Sequence, residues 1–383
     1  MQSNKGQSHG MRIVGDQGTA DASARTGATE PLSSPASTPT STTGIVPGSA
    51  EPHETSTDPT AGAPAALAHE ASAGPQKAPQ TTDNTDSLDP NAVLTDADRA
   101  QGATSPNTPT LGDVLLAVEE LWPASLAEPW DEVGPVVGRP ECPVTRIMFA
   151  VDPTLEVIAD AISRGTQLLI THHPLLLKPV NSVAATGFKG EAVHLLIESG
   201  CALVTAHTNA DSALGGVSDV IADALGVIDT TPLVPSKDGL PEEGIGRVGM
   251  LPEPMKLGDF AARVFETMPS VAGGVRVAGD AAGIVQKIAV CGGAGDSLFD
   301  AVRDSEADVY VTADLRHHPA SEAREASLNG KPYLIDVSHF ASEWLWLPAA
   351  AKALANVLDE MGHEVEIEVS TVNSDPWDFI LTP

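Results

Sequence analysis

Apolar residues at Leu111, Val114, Leu115, Val118 and Leu121 recur at helical spacing just after Pro109 and Thr110, and predict an entry helix over 111–121. A loop containing Trp130-Asp131-Glu132-Val133-Gly134 follows, and beyond it the pattern changes. Short apolar runs now alternate with helical periods: strand Ile147 to Val151, helix Leu155 to Ser163, strand Leu168 to Thr171, helix Gly190 to Glu198, strand Ala202 to Thr205, helix Leu214 to Leu225. Strands that are apolar throughout are covered on both faces, which is the condition of parallel strands joined by helical crossovers. From 227 to 283 the chain is richer in Gly and Pro, with one strand (Gly246 to Leu251) and one helix (Leu257 to Glu266), and reads as a bridging segment. The alternation then restarts with strand Lys287 to Cys291, helix Asp296 to Arg303, strand Val309 to Thr312, helix Ala320 to Ser327 and strand Tyr333 to Val337. A long helix from Phe340 to about Met361 and a strand Glu364 to Val369 complete it. The expected fold is α/β: two similar lobes with mainly parallel sheets, over 109–226 and 284–383, joined by 227–283.

The two lobes read as a diverged repeat. Ile147-Met148-Phe149-Ala150-Val151, a helix, then Leu168-Leu169-Ile170-Thr171-His172-His173 parallels Ile288-Ala289-Val290-Cys291, a helix, then Val309-Tyr310-Val311-Thr312 and His317-His318. Each half next offers a polar cluster, Ala206-His207-Thr208-Asn209-Ala210-Asp211 in the first and Ser338-His339-Phe340-Ala341-Ser342-Glu343 in the second. Groups carried at the carboxyl ends of strands in two lobes would meet in the cleft between them, where ligands bind open α/β sheets.

Composition shortens the folding part of the 383-residue chain. All fourteen aromatic residues lie at or after Trp122, while residues 1–108 are rich in Pro, Thr, Ser and Ala; such a segment buries too little apolar surface to offset its ordering entropy, and a disordered tail is expected. The net charge of −31 repels polyanions and argues against nucleic-acid binding, and the same field concentrates divalent cations. No run approaches the ~18 apolar residues of a membrane span, and Met1 to Gly18 lacks a signal peptide's apolar segment, so a cytoplasmic location is expected. Cys142, Cys201 and Cys291 are widely spaced, which excludes a disulfide framework and a cysteine-based zinc site. Any metal must be held by His and carboxylates.

Six of the eight histidines outside the tail sit at predicted strand ends or just past them. His172 and His173 are adjacent at the end of a buried strand that Pro174 stops, so the two imidazoles project to different sides and can serve two centres. His207 with Asp211, and His339 with Glu343, stand four residues apart, on one face of a helical segment. Imidazole with carboxylate suits Zn, Mn, Fe, Co or Ni without distinguishing them. Five donors, His172, His173, Asp211, His339 and Glu343, exceed what one four-coordinate ion with an open position uses, so two divalent metal ions per chain are expected.

The runs Ile170-Thr171-His172-His173-Pro174-Leu175, Ala206-His207-Thr208-Asn209-Ala210-Asp211 with Gly215-Gly216-Val217-Ser218-Asp219, and Ser338-His339-Phe340-Ala341-Ser342-Glu343 resemble the NIF-three-like dinuclear metal-centre family, whose members are often labelled GTP cyclohydrolase I type two homologues. Trp130-Asp131-Glu132-Val133-Gly134, Gly244-Ile245-Gly246-Arg247-Val248-Gly249 and Thr312-Ala313-Asp314-Leu315-Arg316-His317-His318 add to the resemblance, which covers about 110–383. It implies His172 and His339 on one ion, His173 and Asp211 on the other, and Glu343 bridging. It also implies His207 and His318 close to the ions as proton-transfer groups, and a ring-shaped homohexamer whose metal sites face an internal cavity. Some members carry an inserted domain between the halves, for which the bridge here is too short. The chain departs from the family pattern at Glu132, Pro135 and Ala313, where Asn, Leu and Gly are usual; none is a ligand.

Other signals carry less. Gly244-x-Gly246-x-x-Gly249 leads into a strand-like run, not a helix, so it does not predict a dinucleotide site. Gly292-Gly293-Ala294-Gly295 lies between strand and helix and suits close packing better than an anion cradle. Trp344 and Trp346 flank Glu343 and are expected in the core or a subunit contact, while Lys178, Arg316 and Lys331 are the basic residues nearest the motifs. Two functions are expected: a metal-dependent hydrolase of a small nucleotide-like or cyclic-amide substrate, with cyclohydrolase chemistry implied only by the resemblance, or a non-catalytic hexameric metal-binding or interaction protein.

Overall fold

The computed structural model describes residues 105–237 and 239–382; the expected tail lies outside the described residues except for its last few positions. Helix α1 (Leu111–Leu121) starts where Thr110 and Asp113 form a reciprocal capping box, the Thr110 hydroxyl accepting from the Asp113 N–H and the Asp113 carboxylate accepting from the Thr110 N–H. Strands β1 (Gly134–Val137), β2 (Arg146–Ala150), β3 (Leu168–Thr171) and β4 (Ala202–Thr205) follow, with helices α2 (Leu155–Ser163) and α3 (Phe188–Ser199) as crossovers. Helices α4 (Thr208–Ser212) and α5 (Val217–Leu225) leave this layer, and β5 (Ile228–Pro235), β6 (Gly244–Lys256), α6 (Leu257–Thr267) and β7 (Arg276–Ala278) open the next. The chain continues through β8 (Ile284–Ala294), α7 (Phe299–Asp304), β9 (Val309–Ala313), α8 (His317–Ala326), β10 (Tyr333–Val337), α9 (His339–Trp344), α10 (Leu347–Glu360) and β11 (Glu366–Val369).

Two sheets result, ordered β1-β4-β3-β2-β11 and β5-β6-β8-β9-β10-β7. The first is mainly parallel, with only β1 antiparallel at its edge. The second departs from the expected mainly parallel form: β8-β9-β10 are parallel, but β5, β6 and β7 pair antiparallel. The pairing also cuts across the boundaries expected from the sequence. The 227–283 segment supplies three strands to the second sheet, because the β5–β6 connection is short enough to fold back on itself. The closing strand, expected in the second lobe, instead returns to the first sheet and pairs parallel with β2. The long helix expected from Phe340 is two helices, since Pro348 lacks the N–H that would continue α9 and sits in the first turn of α10.

Alternation along the strands divides the core into three. Ile147 and Phe149 of β2 face a central core shared with Val290, Val311 and Ile335 of the second sheet and with α1, α5, α6 and α10 between them. Met148 and Ala150 face the opposite way, onto α2 and α3, and Ala289, Tyr310 and Leu334 face α7 and α8. The carboxyl ends of β2, β3 and β4 and of β8, β9 and β10 thereby supply the residues of the site described next. Among the described residues no helix is long and apolar enough to cross a membrane.

Candidate metal centre

His172 and His173 emerge from β3 as the strand ends, and diverge as consecutive strand residues must. His172 is wholly buried; its Nδ1 donates to the Ala206 carbonyl at 2.9 Å, which turns Nε2 toward Glu343 Oε1 at 3.4 Å and Asp211 Oδ1 at 3.7 Å. That Nε2 has no hydrogen-bond partner. His173 is half-buried, with Nδ1 donating to Asp152 Oδ1 at 2.7 Å and Nε2 lying 3.0 Å from Glu343 Oε2 and 3.1 Å from His339 Nε2. From the second sheet, Ser338 caps α9 by accepting from the Ala341 N–H, and the short helix carries His339 and Glu343 on one face. His339 repeats the arrangement of His173: Nδ1 donates to Asp314 Oδ2 at 2.8 Å, and Nε2 lies 2.9 Å from Glu343 Oε1.

His207 precedes α4 and donates from Nδ1 to Asp131 Oδ1 at 2.9 Å, while the second Asp131 oxygen accepts from the Thr208 N–H and hydroxyl. Asn209 holds this turn by accepting from the His207 N–H and donating to the Trp122 carbonyl. One ring nitrogen each of His172, His173 and His207 lie within 4.8 Å of one another, as do donor atoms of His173, His339 and Glu343. Gly293, at the end of β8 with φ +63°, closes the floor: a β-carbon there would stand 2.5 Å from Glu343 Oε1. The glycine run 292–295 thus packs as expected, with Gly292 against Val217 and Gly295 against Tyr310. Trp346 is buried against Trp122, Phe149 and His172, and the exposed Trp130 rests edge-on to His207.

The electrostatics are those of a site built around positive charge. Burial would raise the Glu343 carboxyl, but His173, His339 and His172 outweigh it and hold it well below the ordinary range. Burial disfavours charge on His173 and His339, yet Glu343 beside them carries their pKa values up to about 11 and about 10. His172 is likewise held above its usual value by Glu343 and Asp211 against burial. Asp211 is raised, by burial first and with Glu343 adding to it. Asp131 moves the other way: despite burial, hydrogen bonds from His207 and Thr208 hold it well below the usual carboxylate range.

The donor set fits divalent metal. A buried imidazole nitrogen without a partner, aimed at two carboxylates, is a group whose desolvation goes uncompensated until a cation sits there. In each of His172, His173, His207 and His339 an acceptor holds the proton on Nδ1, so Nε2 is the nitrogen that a cation would take in place of a proton, the arrangement that orients metal-ligating histidines. The structure gathers His172, His173, His207, Asp211, His339 and Glu343. His173 Nε2 lies against His339 Nε2 and His172 Nε2 faces Asp211, the strand pointing His172 into the fold and His173 toward its surface. His318 is not brought in: it is exposed on the first turn of α8, against His317. Sequence reasoning passed over Asp152 and Asp314 as site residues. Their shared signal is position, each within two residues of the end of a buried parallel strand, β2 or β9.

A cavity of about 710 Å³ opens beside the centre, lined among others by His173, His339, Arg276, Phe340 and Trp377. Comparison with known proteins places these features in context. A family model described as Duf34/NIF3 (NGG1p interacting factor 3) matches residues 109–376. A Streptomyces coelicolor protein named GTP cyclohydrolase 1 type 2 homolog is 47% identical over 270 residues, covering 70% of this chain and 94% of the relative. A Mycobacterium tuberculosis protein of the same name is 34% identical over 377 residues, covering 70% of this chain and 97% of the relative, so the relative contains residues with no counterpart here. Among solved structures, a Bacillus cereus protein related to NIF3 superposes with a TM-score of 0.65 at 25% identity, covering 71% of this chain and all of the other. With two thirds of its length inside the family model, and with the histidines and carboxylates of its motifs converging as described, the chain belongs to the Duf34/NIF3 family.

Proposed function

We propose that this chain is a metal-dependent hydrolase that holds two divalent transition-metal ions and acts with water on a small nucleotide-like or cyclic-amide substrate. The observation that carries the reading is His172 Nε2, buried, unpartnered and facing Glu343 and Asp211. His172, Asp211 and Glu343 would hold one ion, and His173, His339 and the other side of Glu343 the second. Bound there, such ions supply Lewis-acid activation of water near neutral pH. The protein's own groups do the rest. Asp152 and Asp314 keep the Nδ1 protons of His173 and His339, so Nε2 of each is the nitrogen that would give up its proton to a bound ion. Asp131 stays ionised and keeps the His207 Nδ1 proton, leaving His207 Nε2 to take a proton at the edge of the centre. The adjoining cavity has the volume of a nucleotide-sized pocket. The names of the relatives support a cyclohydrolase-type substrate. The proposal includes the homohexamer that the family resemblance implies.

Elemental analysis of protein purified without chelators, with native mass, tests it. About two transition-metal ions per chain, falling in His339→Ala, are expected; less than one ion after supplying Zn, Mn and Fe overturns the dinuclear reading. Hydrolysis within a panel of phosphoesters, nucleotides and cyclic amides, lost in Glu343→Ala with the assembly intact, is expected next. Two ions with no metal-dependent turnover would make the chain a metal-binding protein without catalysis.

A further inference from the structure

We infer that the segment following β11 belongs to the metal centre, with Ser374 a positioning residue for His173; this rests on the metal reading above. The segment is led toward the site by the fold itself. The Ser370 N–H donates to the Phe149 carbonyl at 2.7 Å at the end of the first sheet, and Trp344 Nε1 of α9 donates to the Ser370 carbonyl at 3.4 Å. Four residues on, the Ser374 hydroxyl donates to Asp152 Oδ2 at 2.6 Å, on the carboxylate whose Oδ1 accepts from His173 Nδ1. The next residue, Asp375, accepts from the hydroxyl of Ser338, the residue that caps the helix beginning with His339. Two consecutive residues thus hold the supports of the two histidines whose Nε2 atoms lie 3.1 Å apart.

The chemistry is directional. With one oxygen given to Ser374, the Asp152 carboxylate cannot rotate without losing a hydrogen bond, and its remaining oxygen is presented to His173 Nδ1. A carboxylate fixed this way fixes the imidazole plane and strengthens its Nε2 as a donor. His172 receives nothing from the segment, since the Ala206 backbone carbonyl orients it. The effect of Ser374 is therefore selective: it concerns the ion at His173 and His339, and leaves the ion at His172 and Asp211.

Chelator-competition titration of the full-length chain with zinc alone reads this, with the visible spectrum of the cobalt-substituted protein as the second readout. Ser374→Ala is expected to weaken one of the two ions by roughly 10-fold and leave the other unchanged. It should also shift the cobalt spectrum and leave the melting temperature of the metal-free protein as in wild type, and Ser374→Thr should restore the affinity. Two ions held by Ser374→Ala with wild-type affinity overturn the inference while the metal reading stands. Equal weakening of both ions with a lowered metal-free melting temperature also overturns it, reducing Ser374 to a structural contact. A wild-type chain that takes up no zinc overturns this inference and the metal reading together.

Discussion

His172 and His173 are neighbours in the chain and opposites in environment: one is sealed into the core and oriented by a backbone carbonyl, the other faces a cavity and is oriented by a carboxylate. Asp131 shows how tightly such groups are tied. Its two oxygens accept from His207 Nδ1 and from the Thr208 N–H and hydroxyl, and its pKa in the fold lies below its unfolded value. A depressed carboxyl contributes stability that is complete above the unfolded value and lost as pH falls toward the folded one. Asp131→Asn is accordingly expected to cost about 1–3 kcal/mol at pH 7, where charged hydrogen bonds are lost. The difference from wild type should narrow below about pH 4, as wild type loses the same contribution. Urea denaturation across a pH series measures it, and a pH-independent difference would contradict the assignment.

At the scale of elements, the end of β3 and the short helices α4 and α9 present the candidate donors, and a buried ion pair fixes the chain beside them. Arg247 of β6 is almost wholly buried; its guanidinium donates to the Asp219 carboxylate of α5 and to the carbonyls of Gly244 and Gly246. Asp219 also accepts from the Gly215 N–H, so this pair ties the loop after Asp211 to the second sheet. Arg247→Met leaves the largely buried Asp219 carboxylate without its cation and is expected to cost about 3 kcal/mol. Pairing it with Asp219→Leu should recover much of that loss, since the desolvated charge goes with it. Denaturant midpoints of the single and double variants check this; a double variant as unstable as the single would show that the pair does more than neutralise itself.

Across the whole molecule, one central core is shared by both sheets, and the chain's end returns to the first of them. The Glu364 N–H donates to the Asn107 carbonyl, so the start of the described part meets the segment that leads into β11. A chain beginning at Ser105 keeps that contact and is expected to match the full chain in melting temperature and metal content. One beginning at Leu111 loses both that bond and the Thr110 cap, and is expected to melt lower; loss of a helix cap alone costs about 0.5–2 kcal/mol. Lower metal content in the Ser105 chain would assign the preceding residues a part in the site. Thermal melts with elemental analysis distinguish these outcomes.

Much of this was legible in the chain itself. Short, mainly apolar runs at Leu168–Thr171 and Val309–Ala313 marked buried strands because they lack the polar alternation of a half-exposed one, and His/carboxylate spacing marked the donors because chemistry restricts which residues hold metal. What remained hidden was pairing. Strand order depends on contacts between residues far apart in sequence, so periodicity could not show β11 crossing to the first sheet or β5 to β7 turning the second antiparallel. Asp152 stands in no motif and Asp314 in one that gave it no role, and each gains its role only because a histidine from another strand end lies within hydrogen-bond distance. His318 failed to join for the converse reason: its neighbours in sequence resemble those of a site, but α8 leaves it facing solvent. Residue type and local period determined which elements form and which side chains can bind; tertiary packing alone decided which of them meet.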